Sequence, residues 1–244
     1  MLFRSEESQE LVKNMINRGI IERVPEGHKG YISAIKFVRK NSGKLRFTVD
    51  YSPVNQAIMR TKIAFLSQND IVKKLPHDAK YLAKIDLVDA YLQVPLAKES
   101  RPWTAFMAKD GIYQFTRIPQ GMSCSGDTFN AVSDEILASF QNCTLKMVDD
   151  ICVFAKSKVE LMERVRSICS IADKNGMTFS ESKLELGQKI VFGGFIIDCE
   201  GGSPEVYPDP SRLDALRKMQ PPTNISELRS FIGTVVSLGH FHPD

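Results

Sequence analysis

Three features predict an α+β fold with a mostly antiparallel sheet and helices packed on one face. Short apolar runs of alternating polarity are interleaved with stretches of helical periodicity. Some of these runs are joined by compact turn chemistry that implies hairpins, as at Asn41-Ser42-Gly43 and Lys109-Asp110-Gly111. With 244 residues and 43% hydrophobic content, the chain can also bury a core of the size that one large domain or two associated lobes require.

Ser5 to Arg18 is an amphipathic helix with Leu11, Met15 and Ile16 on one stripe and Gly19 placed to end it. Tyr31 to Lys40 and Lys44 to Tyr51 form a hairpin. A short helix from Ser67 to Leu75 closes at Pro76, and "KYLAKIDL" follows as a strand with Leu82, Lys84 and Asp86 on one face. The second hairpin joins "WTAFMA" to "IYQFTRI". From Ser125 to about Phe140 the spacing of Phe129, Val132, Ile136 and Phe140 predicts a helix. "CTLKMV" and "ICVFA" flank Asp149-Asp150 as a hairpin with the carboxylates at its tip. Ser157 and Glu160 have the capping-box spacing, opening a helix with Leu161, Val165, Ile168 and Ala172 inside and Gly176 at its end. "KIVFGGFIID" is a strand or hairpin. Two helices, Ser211 to Met219 and Ile225 to Leu238, are split by Pro221-Pro222.

No run of about eighteen apolar residues is present, and "MLFRSEESQE" lacks the apolar centre of a signal peptide. The expectation is a soluble intracellular protein, neither membrane-bound nor secreted. Five scattered cysteines, none in a Cys-x-x-Cys pair, indicate no disulfide framework or zinc knuckle. His240 and His242 fit surface chemistry better than a metal site. The net charge is +3, yet residues 1–62 carry +6 and the remainder −3. The basic excess is densest around Lys36, Arg39, Lys40, Lys44 and Arg46. Alone, this cluster is a solvated hairpin edge; a polyanion surface competes only if other residues agree.

The carboxylates supply that agreement. Ionised side chains are costly to bury without a partner or metal, yet Asp149 and Asp150 sit between two apolar runs. An isolated Asp-Asp pair is ordinarily a turn or a cap, and Asp86 alone could cap the helix after it. Three acids at strand ends and a hairpin tip instead suit two-metal phosphoryl transfer, in which ions about 4 Å apart grip the attacking and leaving oxygens. Mg²⁺ needs few protein ligands, because water and substrate phosphate complete its shell.

"LRFTVDYSPVNQ", "KIDLVDAYLQVPL", "TAF", "IPQGMSCSGDTF", "MVDDICVFAKS", "MTFSESKLELG", "VFGGFIID" and "PPTNISELRSFIG" occur in the order of the reverse transcriptase core. The chain resembles that family over nearly its whole length, most of all the gypsy-type LTR retrotransposon and retroviral pol polyproteins. The resemblance implies a right-hand polymerase: fingers at 1–61 and 95–122, palm at 62–94 and 123–200, and the start of a thumb or connection at 201–244. By the same resemblance, Asp86 and Asp149 hold two Mg²⁺ ions, with Mn²⁺ as a substitute; Asp150 completes the triad and the Leu87 carbonyl is a backbone ligand.

Other roles follow from the same matching. Asp89 and Ala90 offer backbone N–H groups to the triphosphate, and Tyr91 stands under the sugar to exclude a 2′-hydroxyl. Lys40 and Arg46 close over the outer phosphates, with Arg39 in place of Lys40 in the other alignment of the hairpin. Gln120 touches the nucleotide sugar and template side, and Lys183 protonates pyrophosphate. Met147, Gly193 and Gly194 adjoin the primer. Four positions depart from the family pattern: Met147 stands for the usual tyrosine, Ser52 for arginine, Gly193 for leucine, and a common proline is missing around Gly126-Asp127.

The implied activity is RNA-directed DNA polymerisation, a nucleotidyl transfer, on an RNA or DNA template with a DNA primer and dNTPs. The implied context is a homodimer or a longer polyprotein with RNase H and integrase, in the cytoplasm, in virus-like particles or in the nucleus. The alternatives are an inactive or domesticated nucleic-acid-binding relative and an RNA-dependent RNA polymerase, which Tyr91 disfavours.

Overall fold

The structure, a computed structural model, describes residues 6–39, 43, 45–59 and 68–238. In chain order the elements begin with α1 (Glu6–Asn17), β1 (Ile21–Arg23), β2 (Ala34–Arg39), β3 (Leu45–Asp50), α2 (Ser52–Ala57), α3 (Gln68–Lys74), β4 (Tyr81–Asp86) and α4 (Ala90–Gln93). They continue with β5 (Phe106–Ala108), β6 (Gly111–Phe115), α5 (Ser125–Ile136), β7 (Thr144–Met147), β8 (Asp150–Ala155), α6 (Lys158–Lys174) and β9 (Glu185–Gly187). The last are β10 (Lys189–Phe192), β11 (Phe195–Asp198), β12 (Glu205–Pro208), α7 (Pro210–Arg217) and α8 (Ile225–Leu238). Two compact units share them, Met1–Ile63 with Val88–Ile136 and Ala64–Leu87 with Leu137–Asp244.

The first unit holds the antiparallel sheet β1-β6-β5 and the hairpin β2-β3. Its core is aromatic. Phe47 meets Phe37 and Phe106 edge-on at 5.7 and 5.0 Å between centroids, and Tyr51, 1% exposed, donates a hydrogen bond to the Thr104 carbonyl at 3.1 Å. That bond satisfies a phenol otherwise costly to bury, and burial pushes its pKa far up. In α1 the inward stripe is Ser8, Val12 and Met15, whereas Ile16 is 37% exposed. The apolar face is therefore rotated from the predicted one, with Leu11 at its margin.

The predicted helix to Phe140 stops early. Leu137 leaves the helical region of backbone space and is buried in the second unit's core, and a 3₁₀ turn spans Ala138–Phe140. Within α5 the Ser133 hydroxyl donates to the Phe129 carbonyl at 2.8 Å, which lets a polar residue occupy an inward position.

The second unit is built on the antiparallel sheet β7-β8-β4-β9. Ala83, Ile85, Ile151 and Val153 pack on one face with Leu161, Val165 and Ile168 of α6. Leu82, Cys152 and Phe154 on the other face pack with Ile71 of α3 and with the sheet β10-β11-β12. Each fully buried Leu, Ile, Val or Phe among them contributes about 1.5–3 kcal/mol, so the central strands are clamped from both sides. The Ser157 hydroxyl accepts from the Glu160 N–H at 3.2 Å, while Glu160 accepts from the N–H of Lys156 at 2.9 Å, one residue earlier than in a reciprocal box. Gly176 follows the helix at φ 73°. All five cysteines are free thiols. No helix among the described residues is long and apolar enough to cross a membrane.

Candidate active site

β4 ends at Asp86 and β8 begins at Asp150, and the antiparallel register pairs these two residues directly. On its other edge Asp150 pairs with Met147, leaving Val148 and Asp149 as a two-residue connection. Val148 has φ 59°, and it is the first central residue of this turn. A positive φ there matches the twist of the flanking strands, which is why a β-branched residue is held in a region it ordinarily avoids. Backbone strain of this kind costs on the order of 1–3 kcal/mol and concentrates at functional sites.

The electrostatics show that the three carboxylates share one neighbourhood. Burial raises the Asp150 pKa, Lys84 opposes that rise, and the charges of Asp149 and Asp86 add to it. Lys183, in the 3₁₀ turn Glu181–Lys183, donates to Asp86 Oδ1 at 2.8 Å. That hydrogen bond raises the Lys183 pKa, and the charges of Asp86, Asp149 and Asp150 raise it further. Among the described residues no three His, Cys, Asp or Glu side chains already form a metal cage. The donor set nevertheless fits hard divalent cations: it is all carboxylate oxygen, on or next to paired strands, and the Lys183 ammonium across Asp86 is 61% exposed. Leu87, 4% exposed, bridges to Phe179, and the Ser180 N–H donates to the Asp86 carbonyl at 2.8 Å, so the backbone after β4 is held.

Beside this hairpin lies the turn between β10 and β11. Phe192 pairs with Phe195, and Gly193 and Gly194 between them have φ 59° and 87°. A Cβ on Gly193 would fall 2.4 Å from the Met147 Sδ, and one on Gly194 would fall 1.9 Å from the Arg212 Cζ. Both φ values favour glycine, while the thioether and guanidinium that lie against the turn are the ends of flexible side chains. The Asp209 N–H also donates to the Gly194 carbonyl at 3.1 Å, tying this turn to the start of α7.

The remaining predicted residues belong to the first unit. Asp89 has φ 47° and ψ 46° and precedes the short α4, which begins at Ala90. The Tyr91 ring meets Phe129 edge-on at 5.5 Å, and its hydroxyl lies 3.8 Å from where a Gly126 Cβ would stand. Gln120 is exposed on a loop pinned by Asn55, whose Nδ2 donates to the Gly121 carbonyl at 2.9 Å and whose Oδ1 accepts from the Ser123 N–H at 2.8 Å. Arg39 and Arg46 stand near the loop ends of β2 and β3, and their side chains, like Lys40, Lys44, His240 and His242, lie outside the described residues. Sequence reasoning missed Asn55, Arg18 and Arg212. None has a local signal, since each acts on a segment distant along the chain.

The model of the family described as reverse transcriptase (RNA-dependent DNA polymerase) matches residues 38–197. The chain belongs to that family. It is 29% identical to a polyprotein of cassava vein mosaic virus over 95% of this chain and 36% of that one. It is 28% identical to the retrovirus-related Pol polyprotein from transposon 297 of Drosophila melanogaster, over 98% and 22%. The chain therefore spans about a third or less of these relatives. Among solved structures it is similar to the foamy viral protease-reverse transcriptase, both in complex with double-stranded DNA (TM-score 0.80, 23% identity, 96% of this chain and 40% of that one) and with an RNA/DNA hybrid (0.74, 23%, 93% and 30%). These likenesses establish the reverse transcriptase fold.

Proposed function

We propose that this chain is the polymerase core of a retroelement reverse transcriptase, extending a DNA primer with dNTPs on an RNA or DNA template. The observation that carries the reading is the register of Asp86 against Asp150, with Asp149 on the adjoining tip. Asp86 and Asp149, aided by Asp150 and the Leu87 carbonyl, are the residues that would hold two Mg²⁺ ions, or Mn²⁺. When bound, the ions would activate the primer 3′-hydroxyl and neutralise the leaving pyrophosphate.

The chain's own residues do the rest. Lys183 carries its proton beside the carboxylates, because Asp86 favours the ammonium, and it is the candidate proton donor to pyrophosphate. The amides of Asp89 and Ala90 receive the triphosphate, Tyr91 excludes a 2′-hydroxyl, and Gln120 contacts the sugar and template side. Arg46 with Lys40 or Arg39 closes on the outer phosphates, where Arg gives bidentate contact and Lys a point charge. Met147, Gly193 and Gly194 support the primer. In this reading residues 1–61 and 95–122 are fingers, 62–94 and 123–200 palm, and 201–244 the start of the thumb. The wider assembly is a homodimer or a polyprotein with RNase H and integrase, working in the cytoplasm, a virus-like particle or the nucleus.

The test is incorporation of labelled dNTP on poly(rA)/oligo(dT) with Mg²⁺, by the wild type and by Asp149→Asn. The reading expects extension by the first and none by the second, with an unchanged circular dichroism spectrum. Salt-sensitive binding without incorporation by the wild type would support a non-catalytic binding module instead. Preference for rNTP would indicate an RNA polymerase.

A further inference from the structure

Asp89 occupies the position from which an aspartate ordinarily caps the first amides of its own helix. It makes no such side-chain cap. Its carboxylate is taken by Arg18, the residue following α1, whose Nη2 donates to Asp89 Oδ2 at 3.2 Å across 71 positions of chain. Both side chains line a cavity of about 380 Å³ that also includes Gln120 and is floored by Phe47, Leu92 and Phe115. The two side chains are 51% and 49% exposed, and ion pairs so exposed stabilise a fold very little. Stability is therefore a poor account of why a cation from the amino-terminal helix reaches this turn.

Chemistry supplies a better one. If the amides of residues 89 and 90 receive a polyphosphate, the charge of an unpaired Asp89 carboxylate repels the incoming anion. Arg18 offsets that charge and holds the carboxylate to one side. We propose that Arg18 is a positioning residue for the nucleotide, acting through Asp89 to keep this turn open to the triphosphate. The inference rests on the reading of residues 89 and 90 given under the proposed function.

The experiment compares wild type, Arg18→Gln, Arg18→Lys and the double variant Arg18→Gln/Asp89→Asn. It uses steady-state incorporation and calorimetric binding of a non-hydrolysable dNTP with Mg²⁺. Arg18→Gln should raise the KM for dNTP and weaken analogue binding by about five- to tenfold, the effect of one like charge near the surface. Its kcat, primer–template affinity and thermal midpoint should stay near wild type. Arg18→Lys should retain most of the affinity, and removing the Asp89 charge from the Arg18→Gln chain should restore it to within about twofold, corresponding to under ~0.5 kcal/mol. An arginine acting by a route other than Asp89 would not be rescued by a change at residue 89, and one that only stabilised the fold would lower the thermal midpoint. Unaltered nucleotide affinity in Arg18→Gln, or no rescue in the double variant, overturns the inference. A wild type that binds the analogue but never extends a primer overturns the polymerase reading and leaves the pair to be judged by binding. A wild type that binds no analogue overturns both.

Discussion

Asp86, the last residue of β4, and Asp150, the first of β8, are direct cross-strand partners. Like charges facing each other across a sheet destabilise it, and burial aggravates the cost at Asp150. Neutralising one of them should therefore stabilise the metal-free fold. Asp150→Asn is expected to raise the thermal midpoint in the presence of EDTA. Mg²⁺ should raise the midpoint of the wild type and have a smaller effect on the variant, as read by differential scanning calorimetry.

Gly193 and Met147 make a second coupled pair. An alanine at 193 meets two obstacles, a φ of 59° and the Met147 thioether 2.4 Å from its Cβ. The thioether is the end of a flexible chain and can swing away, so the lasting cost is backbone, about 1 kcal/mol or more. Gly193→Ala should lower the unfolding free energy obtained from a urea titration by that amount, and the displaced Met147 should weaken primer–template binding. Met147→Ala in the same chain should leave the stability loss in place, because it removes the clash and not the strained φ.

Tyr91 meets the Phe129 ring edge-on at 5.5 Å and lies beside Gly126. Under the proposed role its ring, not its hydroxyl, excludes a 2′-hydroxyl. Tyr91→Phe should keep the preference for dNTP over rNTP, and Tyr91→Val should reduce it by about 10- to 100-fold in the ratio of kcat/KM values. Single-nucleotide incorporation with paired dATP and ATP measures both.

The sheet behind the glycine turn carries a pH-dependent clasp. Asp198 accepts from Lys189 at 2.8 Å and from the Tyr207 hydroxyl at 3.1 Å, and the Lys189 hydrogen bond is the main reason its pKa falls below 3.8. A depressed carboxyl pKa adds stability that is complete above the unfolded value and lost as pH falls through the folded one. Asp198→Asn should accordingly lower the thermal midpoint at pH 7, and the gap to wild type should close as the pH is taken well below 3.8.

Much of this architecture is written in local patterns. The alternation around Asp149-Asp150 and the Ser157/Glu160 spacing each encode an element through neighbours a few residues away, and hairpin and capped helix stand where those patterns put them. Other features depend on partners remote in the chain. The stripe of α1 keeps Met15 where the periodicity put it but is rotated because the core contacts select Val12 in place of Ile16. The helix after Ser125 breaks because Leu137 gains burial in another core. The register of Asp86 against Asp150, the Lys183 contact and the reach of Arg18 to Asp89 all join residues more than sixty positions apart. The order of the acidic residues was legible; their pairing required the folded sheet.

Cleavage by Fe²⁺ in place of Mg²⁺ tests the central claim most directly, because ascorbate and peroxide at a bound iron cut the adjoining backbone. With primer–template and dNTP present, we expect fragments ending near residue 86 and near residues 149–150, suppressed by excess Mg²⁺ and absent in Asp86→Asn/Asp149→Asn. Cuts confined to other segments, or an identical pattern in the double variant, would contradict a divalent-cation site at these carboxylates.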